Sequence, residues 1–284
     1  MPCTLAFDAQ NVLGSYGIGF KKRWARSGVG LSFTNAKWAA TPAQALPLLL
    51  GILLLAAGCA GTIVGVPTDL QTVKSVGVIS AFADRFQLRK VGITVFGNDE
   101  SEFPVDSWGI DDVMAGKVRT LLGQRFDVRP VTYRRAAFAK PNRGGIGAMV
   151  REGVTPAAVD AYVVVTRGGS QLGATNQSVS GLGMLEASGG LLYSNRHFVY
   201  ALYAVNIIDA REFSSKAFTV SLMPGEALVD PLRSTVIRGP HRQLDQSWWP
   251  TSPTAASNQR LKGAVLELID QSLPNTLQQL QLAN

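Results

Sequence analysis

Hydrophobic and polar positions divide this chain into three stretches. Residues 3–33 show no clear period. From Ala45 to Val66 no residue is charged, and Leu46, Leu48, Leu49, Leu50, Ile52, Leu53, Leu54 and Leu55 crowd the first half of that run. From Val73 onward, two-residue and 3.6-residue periods alternate, as strands and helices require. Val73–Ser80 reads as a strand on Val73, Val76, Val78 and Ile79, and Phe86–Val95 as a second, with Ala83-Asp84-Arg85 as a turn between them. Ile110–Leu122 spaces Ile110, Val113, Met114, Val118, Leu121 and Leu122 as an amphipathic helix. Asp111 and Asp112 fall in its first turn and Lys117 and Arg119 later, which suits the helix dipole. Phe126–Tyr133 is an edge strand interrupted by Pro130. Ile146–Glu152 is a short helix, and Asp160–Thr166 a buried strand.

The glycine- and serine-rich residues 168–195 predict a long loop or irregular hairpin. His197–Ile208 and Glu212–Leu222 alternate well around Asp209-Ala210-Arg211 and predict a hairpin. The proline-rich residues 223–257 read as an extended surface segment. Leu261, Ala264, Val265, Leu268 and Ile269 mark a helix from about Asn258 to Leu273, which Pro274 kinks or ends, and Leu277, Leu280 and Leu282 suggest one more turn or two. The order is β-β-α-β-α-β, a glycine-rich insert, β-β, then α. It predicts an α+β or α/β fold over residues 73–284, a single mixed sheet with helices mainly on one face. This order resembles the small α/β domains of envelope lipoproteins, such as the curli-secretion lipoprotein and the penicillin-binding-protein activator lipoproteins. Val163-Val164-Val165, the hairpin around Asp209 and the C-terminal helix carry the resemblance.

The apolar run has three readings. Ala45–Val66 counts 22 residues, and about 20 apolar residues span a bilayer. Yet the strong apolar core is only Leu46–Leu55, and Gly51, Gly58, Gly61 and Gly65 dilute the rest. Leucine on every face and Pro67 just beyond argue against a buried amphipathic core helix. A short apolar region followed by small residues fits a secretion signal. Its end, Leu55-Ala56-Ala57-Gly58-Cys59, resembles the lipobox of a bacterial lipoprotein signal peptide. The resemblance implies cleavage between Gly58 and Cys59, a diacylglyceryl group on the Cys59 sulfur, and palmitate on the new N-terminus. Residues 1–58 are then a leader and signal peptide, and 59–72 a lipid-anchored tether. The 44 residues before the run are long for a signal, which points to a translation start near Val29 or Leu31 and leaves 1–28 untranslated. The same resemblance implies, from Ala60 in the place where such lipoproteins carry an aspartate for inner-membrane retention, the periplasmic face of an outer membrane in a two-membrane host.

That division changes the charge balance. Residues 1–58 hold five basic side chains (Lys21, Lys22, Arg23, Arg26, Lys37) and one acidic (Asp8). Without them, 22 of the 27 basic and 19 of the 20 acidic residues remain, a net +3 instead of +7. The high pI therefore reflects the leader, and no nucleic-acid partner follows from it. Cys3 leaves with the leader and lipid consumes Cys59, so no thiol remains for a disulfide, a zinc site or a nucleophile. The partners implied are the membrane, through the N-terminal lipid, and another envelope protein or an anionic polymer.

Candidate chemistry is sparse. Asp99, Glu100, Glu102, Asp106, Asp111 and Asp112 form an acidic stretch without calcium-loop spacing; a solvated loop entering a helix accounts for it. Gly97-Asn98-Asp99 resembles one block of the SGNH esterases, but the Gly-Asp-Ser and Asp-x-x-His blocks of that family do not stand in the chain. A classical triad would have only His197 and His241 to draw on, and neither sits in a nucleophile elbow. They read as a strand-edge His197 and a loop His241. Gly144-Gly145-Ile146-Gly147 lacks the Lys-Ser/Thr of a phosphate loop and reads as a flexible turn. Arg125, Arg129, Arg134, Arg135, Lys140, Arg143 and Arg151 make a basic segment that either meets an anionic surface or forms a solvated face. Trp248-Trp249-Pro250 either anchors a partner or membrane or packs on the core.

These residues predict no catalytic set, no metal and no cofactor. The expected role is a non-catalytic envelope protein for assembly, transport or maintenance. A membrane-tethered hydrolase using the 97–112 acids, and a small-ligand-binding lipoprotein with its site under 168–195, are the alternatives.

Overall fold

The strand β8, Arg196–Asp209, sets the frame of the protein. All twelve residues between its ends are buried, so both of its faces are covered. The computed structural model describes residues 68–92, 97–139, 144–172, 177–188, 195–226, 237–250 and 258–283, all within the unit Val66–Asn284. Gly58, Cys59 and the apolar run lie outside the described residues.

Two strands share one side of β8. β5 (Ala161–Arg167) lies antiparallel to its C-terminal half and β7 (Ser178–Ala187) antiparallel to its N-terminal half. β1 (Ser75–Ala81) runs parallel to β5, and β2 (Arg85–Val91) parallel to β7. β4 (Asp127–Arg129) flanks β1, and β3 (Asp99–Pro104) flanks β2. Across β8, β9 (Ser215–Val220) flanks the C-terminal half and β10 (His241–Leu244) the N-terminal half. β6 (Gly169–Gln171) pairs with the start of β7. The described residues thus form a ten-stranded mixed sheet. It has two halves sharing β8: β4-β1-β5-β8-β9 and β3-β2-β7-β8-β10.

Two of the three α-helices among the described residues lie on one face. α1 (Ile110–Leu122) and α3 (Gln259–Gln279) enclose Val76, Val78, Val163, Val205, Met184 and Val199. Each such side chain contributes about 1.5–3 kcal/mol on full burial. α2 (Gly145–Gly153) covers the other face of the first half, over Ile79, Tyr162, Val164 and Ile208. The other face of the second half is closed by irregular chain: Leu172 and Ile237 pack over Leu185, Phe198, Tyr200 and Leu202. The α+β fold with helices mainly on one face is the one the hydrophobic pattern predicts.

Several expectations need correction. Ala83-Asp84-Arg85 does not reverse the chain. β1 and β2 are not neighbours in the sheet and run in the same direction, one per half. Their junction is held by carboxylates. Asp84 takes both Nη2 (2.6 Å) and Nε (3.2 Å) of Arg167 on one oxygen. Asp111, in the first turn of α1, accepts from Ser80 Oγ (2.8 Å), Phe82 N–H (3.0 Å) and Ala83 N–H (3.4 Å).

Residues 168–195 are not a long loop: they hold β6 and all of β7, which pair antiparallel as the irregular hairpin, and β7 is a central strand. Their glycines serve close approach. A Cβ at Gly183 would overlap the Tyr200 hydroxyl and the Gln87 carbonyl, and Gly181 stands at φ +63°. Residues 223–257 are not wholly extended surface, since β10 pairs with β8. Pro274 does not end α3, which continues to Gln279. Pro274 and Asp270 are exposed, so water can take the carbonyl that the proline leaves unbonded. On the buried side Leu273 and Leu277 hold the helix down. There Ser272 donates to Leu268 O (2.8 Å) and Thr276 to Ser272 O (2.8 Å). No helix among the described residues is long and apolar enough to cross a membrane.

Candidate functional site

Across the outer end of the second half, one residue from each of five strands falls in a single lateral row. The pairings are Asp99 with Lys90, Lys90 with Glu186, Glu186 with His197, and His197 with Leu244. Directly opposed residues project from the same face. The preceding row on this face, Leu88–Met184–Val199, belongs to the core, so the sheet changes here from apolar to charged. Glu186 is the centre of the charged row. Its Oε2 lies 3.3 Å from Lys90 Nζ and 3.8 Å from His197 Nε2, and its Oε1 accepts from Asn195 Nδ2 at 2.8 Å.

Trp249 closes this row. Its ring meets the His197 imidazole edge-on at 5.8 Å, and Lys90 Nζ lies 5.4 Å over it. Trp248 ends the 3-10 turn Gln246–Trp248, which Asp245 caps by accepting Ser247 N–H at 2.9 Å. That hydrogen bond holds the Asp245 carboxyl below the usual aspartate range. The Arg260 guanidinium carbon sits 3.6 Å over the Trp248 ring. Both tryptophans are partly buried and pack against the main core, so each also presents surface to solvent.

The sequence-predicted residues meet only in part. Trp248, Trp249 and His197 come together. His197 is not at a strand edge: it stands in central β8 and is 5% exposed. His241 begins β10, with Nδ1 2.8 Å from Gly239 O and its ring against Phe198. The acids separate. Asp99, Glu100 and Glu102 stand on edge strand β3, where Glu100 meets Arg89 at 3.0 Å and Glu102 meets Arg85 at 3.5 Å. Asp106, Asp111 and Asp112 surround Arg135 at 3.4–3.8 Å. The stretch is therefore not a solvated loop but an ion-paired strand followed by a buried helix start.

The basic segment is spread as well. Arg134 Nη2 donates to Glu152 O at 2.6 Å, Arg129 pairs with Asp127 at 2.8 Å, and Arg151 lies over Phe213. Lys140 and Arg143 lie outside the described residues. Gly147 belongs to α2 rather than a flexible turn; a Cβ there would overlap Phe213 O. No cluster of three or more His, Cys, Asp or Glu side chains among the described residues could hold a metal ion. A hollow of about 160 Å³ by Tyr133, Arg134 and Glu152 and one of about 90 Å³ by Arg89, Asn98 and Asp99 are open to solvent, and neither is lined by residues 168–195.

Sequence reasoning missed Lys90, Glu186 and Arg260, which come from three separate elements. One signal was present: His197 is in phase with Val199, Ala201 and Tyr203, which places it on the helical face of β8.

No family model and no curated protein matches the chain. Among solved structures, protein XCC0632 from Xanthomonas campestris, of the family DUF330, is similar at 10% sequence identity. The match covers 74% of this chain and 86% of that one, with a TM-score of 0.30.

Proposed function

We propose that this chain is a lipid-anchored, non-catalytic protein of the cell envelope, holding its sheet domain on a membrane leaflet for assembly, transport or maintenance of the envelope. The observation that carries this reading is the apolar run ending in Leu55-Ala56-Ala57-Gly58-Cys59. The start of the domain suits it. Ser75 opens β1 only 16 residues after Cys59, enough chain for a short tether. Several acyl chains at the N-terminus hold far more firmly than one, at about 0.8 kcal/mol per buried CH2. The partners of the carboxylates support a non-catalytic role: Glu100 pairs with Arg89, Glu102 with Arg85, and Asp106, Asp111 and Asp112 gather around the single cation Arg135.

The test is metabolic labelling with palmitate in a Gram-negative host, comparing the chain with Cys59→Ser. Label is expected in the first and not in the second, with sucrose-gradient fractions following outer-membrane markers. Equal labelling, or an intact Leu54–Ala60 peptide by mass spectrometry, would refute the anchor. Turnover of esterase, phosphatase or glycosidase substrates that disappears in His197→Ala would refute the non-catalytic reading.

A further inference from the structure

The two ends of the sheet differ in how they are closed. Ser75, Asp160 and Asp209 mark one pole, and Lys90, Glu186 and His197 the other. β8 runs between them, and its 14 residues span about 45 Å at ~3.3 Å each. At the far pole Glu186 is engaged by Lys90, His197 and Asn195, and Glu267 by Arg242 at 2.6 Å. Arg196, Arg260 and Lys262 have no carboxylate partner among the described residues. Arg260 rests on Trp248 and Arg196 over Phe198, so each guanidinium is placed by an aromatic ring and keeps its N–H donors for something else.

We propose that this pole docks an acidic polypeptide segment of a partner protein, with Trp248 and Trp249 as the apolar anchors and Arg260 as the carboxylate-binding fork. Tryptophan and arginine are the residues that most often dominate such interfaces. A guanidinium fixed over a ring loses little freedom on meeting a carboxylate, and can take it through two parallel N–H bonds. The same contact argues against a sugar ligand, because Arg260 already occupies one face of Trp248. The inference rests on the anchored reading for its orientation only. With the tether at the Ser75 pole, the tryptophans point away from the membrane and toward whatever stands beyond it.

The probe is a short fluorescein-labelled peptide repeating Glu-Phe-Glu-Gly, with Gln-Phe-Gln-Gly as its neutral counterpart. Binding is read on the whole chain in detergent, beside Arg260→Glu, Trp248→Ala and, away from the pole, Arg119→Glu. The acidic peptide is expected to bind about tenfold more tightly than the neutral one. That preference should vanish in Arg260→Glu, weaken in Trp248→Ala and persist in Arg119→Glu. Arg260→Gln, which keeps the site free of new charge, should also lose it, and thermal unfolding verifies that each variant folds. Equal binding of the two peptides, absence of binding, or a preference untouched by Arg260→Gln overturns the proposal. So does stronger Arg260-dependent binding to phosphatidylglycerol vesicles than to the peptide, which would make the pole a membrane contact. Because the peptide assay does not involve the lipid, its failure is distinct from failure of palmitate labelling.

Discussion

The first half of the sheet is covered by helices on both faces, while the second has a helical face and an irregular one. In the first, α1 and α3 lie on one side and α2 on the other, and its pole is tied by carboxylates to backbone. Asp160 Oδ2 accepts Lys74 N–H (3.0 Å), Ser75 N–H (2.9 Å) and Ser75 Oγ (3.0 Å). Asp209 Oδ1 accepts Arg211 N–H (2.7 Å) and Glu212 N–H (2.9 Å), and Lys216 stands 3.0 Å from its other oxygen. In the second, a buried Tyr200 hydroxyl donates to Gln87 Oε1 at 2.8 Å, and burial raises the tyrosine well above its ordinary pKa. That half's pole brings the Trp248 and Trp249 rings together with Lys90, Arg260 and the carboxylates of Asp99, Glu186 and Asp245. Backbone-directed bonds fix shape, whereas partly exposed rings with a guanidinium stacked on them keep interaction capacity in reserve. The first half reads as scaffold and the second as the working end.

The largest expected effect breaks the second half alone. Gly183→Ala sets a methyl group against the Tyr200 hydroxyl and the Gln87 carbonyl, where neither β8 nor β2 can move without losing its ladder. Overpacking of this kind costs about 3 kcal/mol. Amide exchange should accelerate in β7 and β2 while β1 and β5 keep most of their protection. Uniform acceleration through both halves would show that they unfold as one unit.

Next in size is a test of the scaffold pole. Asp160→Ala leaves two backbone N–H groups and a hydroxyl without their acceptor, at a cost of about 2 kcal/mol by chemical denaturation at neutral pH. The effect carries a pH signature. The backbone N–H donors of Ser75 and Lys74 hold the Asp160 carboxyl below its ordinary 3.8. At Asp209 burial pushes upward, but the N–H groups of Glu212 and Arg211 and the Lys216 charge outweigh it, and the net shift is downward. A carboxyl with a depressed folded-state pKa stabilises the fold fully above its unfolded value and loses that contribution as pH falls through the folded one. The gap between the native chain and Asp160→Ala should therefore be constant above about pH 5 and close in more acidic solution. A gap that widens with acid would contradict the hydrogen-bond assignment.

Sequence and structure agree best where one physical signal acts alone. α1 occupies Ile110–Leu122 as its period requires, and Asp209 caps its hairpin as a turn aspartate should. They part where a residue serves a distant contact. Gly181 and Gly183 look like loop residues, but Gly181 holds a φ of +63° within β7, and Gly183 makes room for Tyr200 on the neighbouring strand β8, a tertiary reason. At Pro274 the kink or stop signal competes with the apolar residue Leu277 beyond it, and the core-facing side wins, carrying α3 to Gln279. In the same way Tyr203, whose hydroxyl bonds Ser272 at 2.8 Å and which burial pushes up to about 12, ties α3 to β8 through a pair no local pattern shows. The candidate pole was half legible: the tryptophan pair stands out by composition, whereas Lys90, Glu186 and Arg260 join it only through sheet register and the start of α3.

The smallest expected effect on stability is the most informative about the comparison. Arg260 is exposed, and its contact with Trp248 is an exposed cation–π pair, a class that contributes about 0.5–1 kcal/mol. Arg260→Ala should therefore shift the denaturation midpoint barely at all, several times less than Asp160→Ala. Its effect on the acidic-peptide preference should exceed that of Trp248→Ala, because the guanidinium is the group that meets the carboxylate. At the scaffold pole the ranking reverses, and Asp160→Ala should weaken folding while leaving peptide binding intact at temperatures where the variant remains folded. If Arg260→Ala costs as much stability as Asp160→Ala, the cation is part of the architecture. The two poles would then differ only in which side chains close the core.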